Sequence, residues 1–143
     1  FTTEDQDFQV GKAQVLATGT DVTIIACGHL VWKSIEAARI LTEKGFSVEV
    51  INMHTIKPLD EQAILDSVRK TGCVVTAEEH QMYGGLGESV AQTLGRNFPA
   101  PLEMVAVNDS FGESGKPEEL MEKYGIDTPN IVAAALKVMQ RKA

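Results

Sequence analysis

The stretch from Cys73 to Glu88 constrains the fold more than any other part of the chain. Cys73-Val74-Val75-Thr76-Ala77 is a short apolar run that passes into Glu78-Glu79-His80. Gly84, Gly85 and Gly87 follow, and apolar residues then recur at helical spacing. A run of that length without polar alternation is the pattern of a parallel strand covered on both faces. The glycines mark a tight turn into a helix. In open α/β sheets, ligands and partners meet the carboxyl ends of the strands. The charged residues at this point are therefore the first candidates for function.

The remaining segments fit the same architecture. Val10 to Ala17 alternates weakly, as a short edge strand does. Gly19-Thr20-Asp21 turns the chain into a second apolar run, Val22 to Cys27, closed by Gly28. Val31, Ile35, Ala38 and Leu41 mark the inner face of a helix with Lys33, Glu36, Arg39 and Glu43 on its wet side and Lys44-Gly45 as its stop. Phe46 to Ile51 is the next strand. Asp60 is an N-cap, with Leu59 and Ile64 placed as a hydrophobic staple, and Thr71-Gly72 ends that helix. After the opening stretch, Gly87, Val90, Ala91 and Leu94 line a helix. Leu102 to Val107 is a last strand. Pro117-Glu118-Glu119 opens a short helix that Gly125 stops, and Thr128-Pro129 begins a final one with Ile131, Ala135 and Val138 inward. About five strands alternating with about five helices make a three-layer α/β/α domain. Taken locally, the turn at Gly19 to Asp21 pairs the first strand with the second as a hairpin. Residues 1–10, with Glu4, Asp5 and Asp7, read as a linker from an upstream domain, and the start at Phe1 is expected of a fragment or processed piece.

Charge and motif content exclude several functions. With 13 Lys and Arg against 20 Asp and Glu, the formal net charge is -7. Non-specific nucleic-acid binding needs a basic footprint, and an anionic membrane surface repels such a chain. No apolar run approaches the roughly 20 residues of a membrane span, and no signal peptide is recognisable. Cys27 and Cys73, each inside a predicted buried strand, are expected to be reduced core thiols in a cytoplasmic protein. His29, His54 and His80 lack metal-ligand spacing, so no metal site is expected. No serine sits in a Gly-x-Ser-x-Gly turn, no phosphate loop is present, and Gly28-His29-Leu30-Val31 does not match a dinucleotide fingerprint. Glu78, Glu79, His80, Gly84, Gly85 and Gly87 remain. They form either an anion site or acid/base cluster at a helix N-terminus, or a tight turn whose acids pair with a neighbouring domain. Two carboxylates repel an anion that arrives without a cation, which favours the second reading.

Three ordered blocks carry a family resemblance: Thr55-Ile56-Lys57-Pro58-Leu59-Asp60; Ala77-Glu78-Glu79-His80 with Gly84-Gly85-Leu86-Gly87-Glu88-Ser89; and Ser114-Gly115-Lys116-Pro117-Glu118-Glu119-Leu120 with Tyr124-Gly125-Ile126-Asp127. By these blocks the chain from Gly11 to Val138 resembles the C-terminal domain of transketolase. Similar domains occur in 1-deoxyxylulose-5-phosphate synthase and in the β subunit of 2-oxo acid dehydrogenases, but Ser114 to Pro117 fits transketolase better. The resemblance implies a five-stranded mixed sheet in the order 1-3-2-4-5 with the first strand antiparallel, which overrides the local hairpin. It assigns residues 11–143 to that domain.

The resemblance also implies the biology. Transketolases transfer a two-carbon ketol unit between phosphorylated sugars, using thiamine diphosphate and Mg²⁺ or another divalent cation. The cofactor sits between two other domains from opposite subunits of a homodimer, and its ligands lie there. The implied partners are those thiamine-binding domains or a separate partner subunit. No catalytic, cofactor-binding or metal residue is expected in this chain. Its expected role is to support fold and dimer, with Glu78, Glu79 and His80 in a domain or subunit contact. The rival expectations are a regulatory module that holds a small anion or nucleotide on the Gly84 to Gly87 turn, and a pure interaction module docking through Glu78 to Tyr83.

Overall fold

Five short strands, β1 (Gln14–Ala17), β2 (Val22–Ala26), β3 (Val48–Asn52), β4 (Val74–Glu78) and β5 (Leu102–Ala106), form one sheet in the order β1-β3-β2-β4-β5. Among the described residues four helices accompany them: α1 (Leu30–Glu43), α2 (Glu61–Thr71), α3 (Leu86–Asn97) and α4 (Thr128–Gln140). These elements come from a computed structural model, which describes residues 12–28, 30–54, 59–78, 85–106 and 128–142. Strands β2 to β5 are mutually parallel, and β1 runs antiparallel to β3.

Every residue of β2, β3 and β4 is buried, as expected of mainly apolar parallel strands covered on both faces, the polar Thr23, Glu49, Asn52, Thr76 and Glu78 included. Side chains alternate across the pleat. Ile24, Val50 and Val75 therefore face α1 and α4, packing with Leu41, Ile131, Ala135 and Val138. Ile25, Ile51 and Val74 face α2 and α3, packing with Ile64, Val68, Val90 and Leu94. This is the three-layer arrangement.

The local hairpin reading is corrected: β1 pairs with β3, not with β2. Both edges of β2 are taken, by β3 and by β4, so β1 cannot pair with β2 and joins at the outer edge of β3. The turn crosses the start of β3 to get there. Asp21 N donates to Ser47 O at 2.8 Å, and Thr20 N donates to Ser47 Oγ at 3.0 Å. Gly19 lies so close to Val48 that a Cβ would overlap its backbone. A bulge separates the Val15–Ile51 and Ala17–Val50 pairs.

Helix boundaries follow their predicted signals. Asp60 caps α2, its Oδ1 accepting from Ala63 N at 3.2 Å, and its Oδ2 accepts from Ala13 N at 2.8 Å. Gly72 ends α2 in the left-handed region at φ 83, its N–H donating to Val68 O. On α3 the buried stripe is Leu86, Gly87, Val90, Thr93 and Leu94, while Ala91 is only half-buried. Val107 and the predicted helix after Pro117 lie outside the described residues.

Neither cysteine is in a disulfide, and both are buried. The register explains why they do not pair. Thr23 N donates to Cys73 O at one end of the β2–β4 pair, and Cys27 N donates to Ala77 O at the other. At about 3.3 Å per strand residue that is more than a disulfide spans.

Candidate functional site

Among the described residues, one side chain links the end of β4 to the first turn of α3. Glu78 ends β4 and is 2% exposed. Its Oε2 accepts the backbone N–H of Gly87 at 2.8 Å, across the turn. The N-cap of α3 is Gly85, which has no side chain to offer and makes no side-chain cap bond. The carboxylate of Glu78 therefore supplies the acceptor that the cap residue lacks, and places negative charge at the positive end of the helix. Gly87 serves packing as well. A Cβ there would stand 2.6 Å from Met104 Sδ and 3.1 Å from Thr76 Oγ1, so its absence lets α3 lie close on β4 and β5.

Of the six predicted site residues the structure thus brings together Glu78, Gly85 and Gly87. Glu79, His80 and Gly84 lie outside the described residues. The Gly87 N–H, which an anion bound at this helix start would need, is already occupied by the protein's own carboxylate.

Among the described residues the other chemically capable groups do not converge. His54, half-buried after β3, is the one described histidine; His29 and His80 lie outside the described residues. Among the described residues no group of three or more His, Cys, Asp or Glu could hold a metal ion. Burial pushes the Cys73 thiol up, Lys142 lowers it and Asp21 adds to the rise, so the net direction is upward and the thiol stays protonated. Among the described residues no helix is long and apolar enough to cross a membrane. A cleft of about 670 Å³ lies between β1 and α1, lined mainly by apolar side chains with Arg39 at its lip, and none of the six predicted residues lines it. A thiamine diphosphate–metal site needs oxygen ligands for a divalent cation and donors for a diphosphate at one place. The described residues do not provide that set.

Sequence reading passed over one buried charge. Glu49, in β3, is 3% exposed and is held by Lys70 Nζ and by Gly19 N at 3.0 Å. The visible signal was a lone acid inside Val48-Glu49-Val50-Ile51. Its partners lie 21 and 30 residues away and are not visible locally.

Comparison with known proteins agrees with this architecture. Residues 11–131 match the family described as transketolase, C-terminal domain. The chain is 48% identical over 139 residues to the 6-deoxy-6-sulfo-D-fructose transketolase subunit of Clostridium sp. (strain MSTE9), covering 97% of this chain and 43% of that protein. It is 38% identical over 141 residues to a subunit of the apulose-4-phosphate transketolase of Phocaeicola vulgatus, covering 99% of this chain and 45% of that protein. A split gene transketolase, solved as an inactive β4 tetramer, superposes with a TM-score of 0.94 at 44% identity, covering 99% of this chain and 46% of that one. The chain thus spans a little under half the length of these relatives.

Proposed function

Since the chain belongs to the transketolase C-terminal domain family, we propose that it is the C-terminal part of an enzyme transferring a two-carbon ketol unit between sugars. The reading is carried by one observation: nearly the whole chain matches subunits of transketolases, yet it spans under half of their length. The substrate class is a sugar carrying an anionic group. Both relatives support this, since their names specify a sulfonated and a phosphorylated sugar. A chain of formal charge -7 is a poor receptor for such a group, so its recognition belongs to the other part of the enzyme.

In this reading thiamine diphosphate and a divalent cation are bound by that other part, on the same chain or on a partner subunit, in a dimeric enzyme. This chain contributes a folded platform. Glu78 ties the end of β4 to the start of α3, and Glu79 and His80, which follow it in sequence, contact the thiamine-binding part. The platform does no chemistry alone.

The test is a ketol-transfer assay with thiamine diphosphate and Mg²⁺. The 143-residue chain alone gives no turnover, and adding the thiamine-binding polypeptide restores it. Turnover by the chain alone sinks the proposal.

A further inference from the structure

The sulfur atoms of the chain are not equally placed. Among the described residues, Cys73 and Met53 are buried and Cys27 is nearly so. Met139 is half-buried against the core cluster between the sheet, α1 and α4. Met104 stands apart at 40% exposed. Its place in the sheet explains the difference. It lies mid-strand in β5, the last strand in the sheet order, so among the described residues it has a neighbouring strand on one side only.

Met104 also touches the start of α3. It pairs in register with Thr76 of β4, and residues opposite one another in a ladder share a face of the sheet. α3 packs on that face. A Cβ on Gly87 would stand 2.6 Å from Met104 Sδ, 2.9 Å from its Cγ and 3.1 Å from Thr76 Oγ1. The sulfur therefore packs against the Cα of Gly87, the residue whose N–H is held by Glu78. A polarisable, apolar thioether suits so close an approach to backbone.

We propose that Met104 is an oxidation site, at which a peroxide converts the thioether into a sulfoxide and loosens the first turn of α3. The sulfur lone pair attacks one peroxide oxygen. The O–O bond breaks, an S–O bond forms, and a proton moves to the departing oxygen, which leaves as water when the oxidant is hydrogen peroxide. Sulfur loses two electrons and the peroxide gains them. A thioether needs no deprotonation to react. The cysteines do not compete, because both are buried, and thiol oxidation runs through a thiolate that burial disfavours at Cys73. The sulfoxide is polar and carries an added oxygen. Gly87 has no side chain that could give way. The oxygen either pushes α3 outward or turns to solvent and draws the sulfur off Gly87, and both end the contact. The site uses only this chain's own sulfur and stands whether or not the ketol-transfer reading holds.

Dilute hydrogen peroxide on the folded 143-residue chain tests it, read by peptide mass mapping and by hydrogen exchange. Met104 should gain one oxygen about tenfold faster or more than Met53 and Met139. Amide protection in the first turn of α3 should then fall about fivefold or more, with β2 and β3 unchanged. The two methionine sulfoxide reductases with dithiothreitol should restore it. Met104→Leu, close in volume, should keep its protection under peroxide. The reductase arm needs no variant, so the test stands even if thermal melts show that Met104→Leu fails to fold. Oxidation of Met53 or Met139 as fast as Met104 overturns the proposal. So does an oxidised Met104 with α3 protection unchanged, or a loss that the reductases do not reverse. A loss that persists in Met104→Leu belongs to another sulfur, Met82 and Met121 included, and also overturns it.

Discussion

Glu49 shows how a charge survives inside a sheet. Burial pushes its carboxyl up. The hydrogen bonds from Lys70, Ser67 and Gly19, with the Lys70 charge, together outweigh burial and hold it below the ordinary carboxylate range. A group whose pKa is lower folded than unfolded adds stability above its unfolded value, about 4.3 for Glu. That stability is lost as the pH falls through the folded value. The Glu49→Gln variant should therefore be less stable than the native chain at pH 7, and the gap should close progressively below about pH 4. Urea unfolding from pH 7 to pH 3 measures it. A gap that stays constant with pH would show that the carboxylate is not held ionised. Lys70 is partly exposed, so its share is reduced by solvent screening. The charge was visible in sequence as one acid in an apolar strand. Its Lys70, Ser67 and Gly19 partners were not, because residue periodicity says which face a side chain takes and nothing about what waits there.

At the scale of elements, β4 and α3 are joined through Glu78, and the joint predicts its own failure mode. Glu78→Ala removes the acceptor and leaves the Gly87 N–H buried without a partner, at a cost of about 1–3 kcal/mol. Glu78→Gln keeps an acceptor oxygen but loses the charge at the helix start, which costs less, on the order of 0.5–2 kcal/mol. Hydrogen exchange should show the loss concentrated in the first turn of α3, and equal stability for the Ala and Gln variants would remove the capping role. Most elements were legible from periodicity, including the Asp60 cap, the Gly72 stop and the inward row Ile131, Ala135 and Val138 of α4. The capping partner of α3 was not. Cap rules look for Ser, Thr, Asp or Asn next to the helix, whereas Glu78 acts from nine residues upstream. The first strand's partner was equally hidden from local reading, since the competition for the edges of β2 is decided by β3 and β4. The family resemblance gave that order where the local pattern did not.

Across the whole molecule, the end of α4 ties distant parts of the chain together. Lys142 Nζ donates to Asp21 O at 2.8 Å and to Thr71 O at 3.0 Å, joining the β1–β2 turn to the end of α2. Arg141 holds Leu102 O and the Glu103 carboxylate on β5. α4 covers the sheet face that contains Cys73, whereas Cys27 lies in the core on the opposite face. Lys142→Met keeps the aliphatic stem that packs on Gly72 and removes only the ammonium. Two bonds from a charged donor to carbonyls are lost, so stability should fall by about 1–3 kcal/mol. The effect should also be local. If the clamp holds α4 down, Cys73 becomes reactive toward a thiol reagent under native conditions well before Cys27 does, because α4 lifts without global unfolding. If both thiols accelerate equally, Lys142 contributes only to global stability and α4 is secured by its apolar face alone. If neither accelerates, the two carbonyl contacts contribute nothing to holding the layers together.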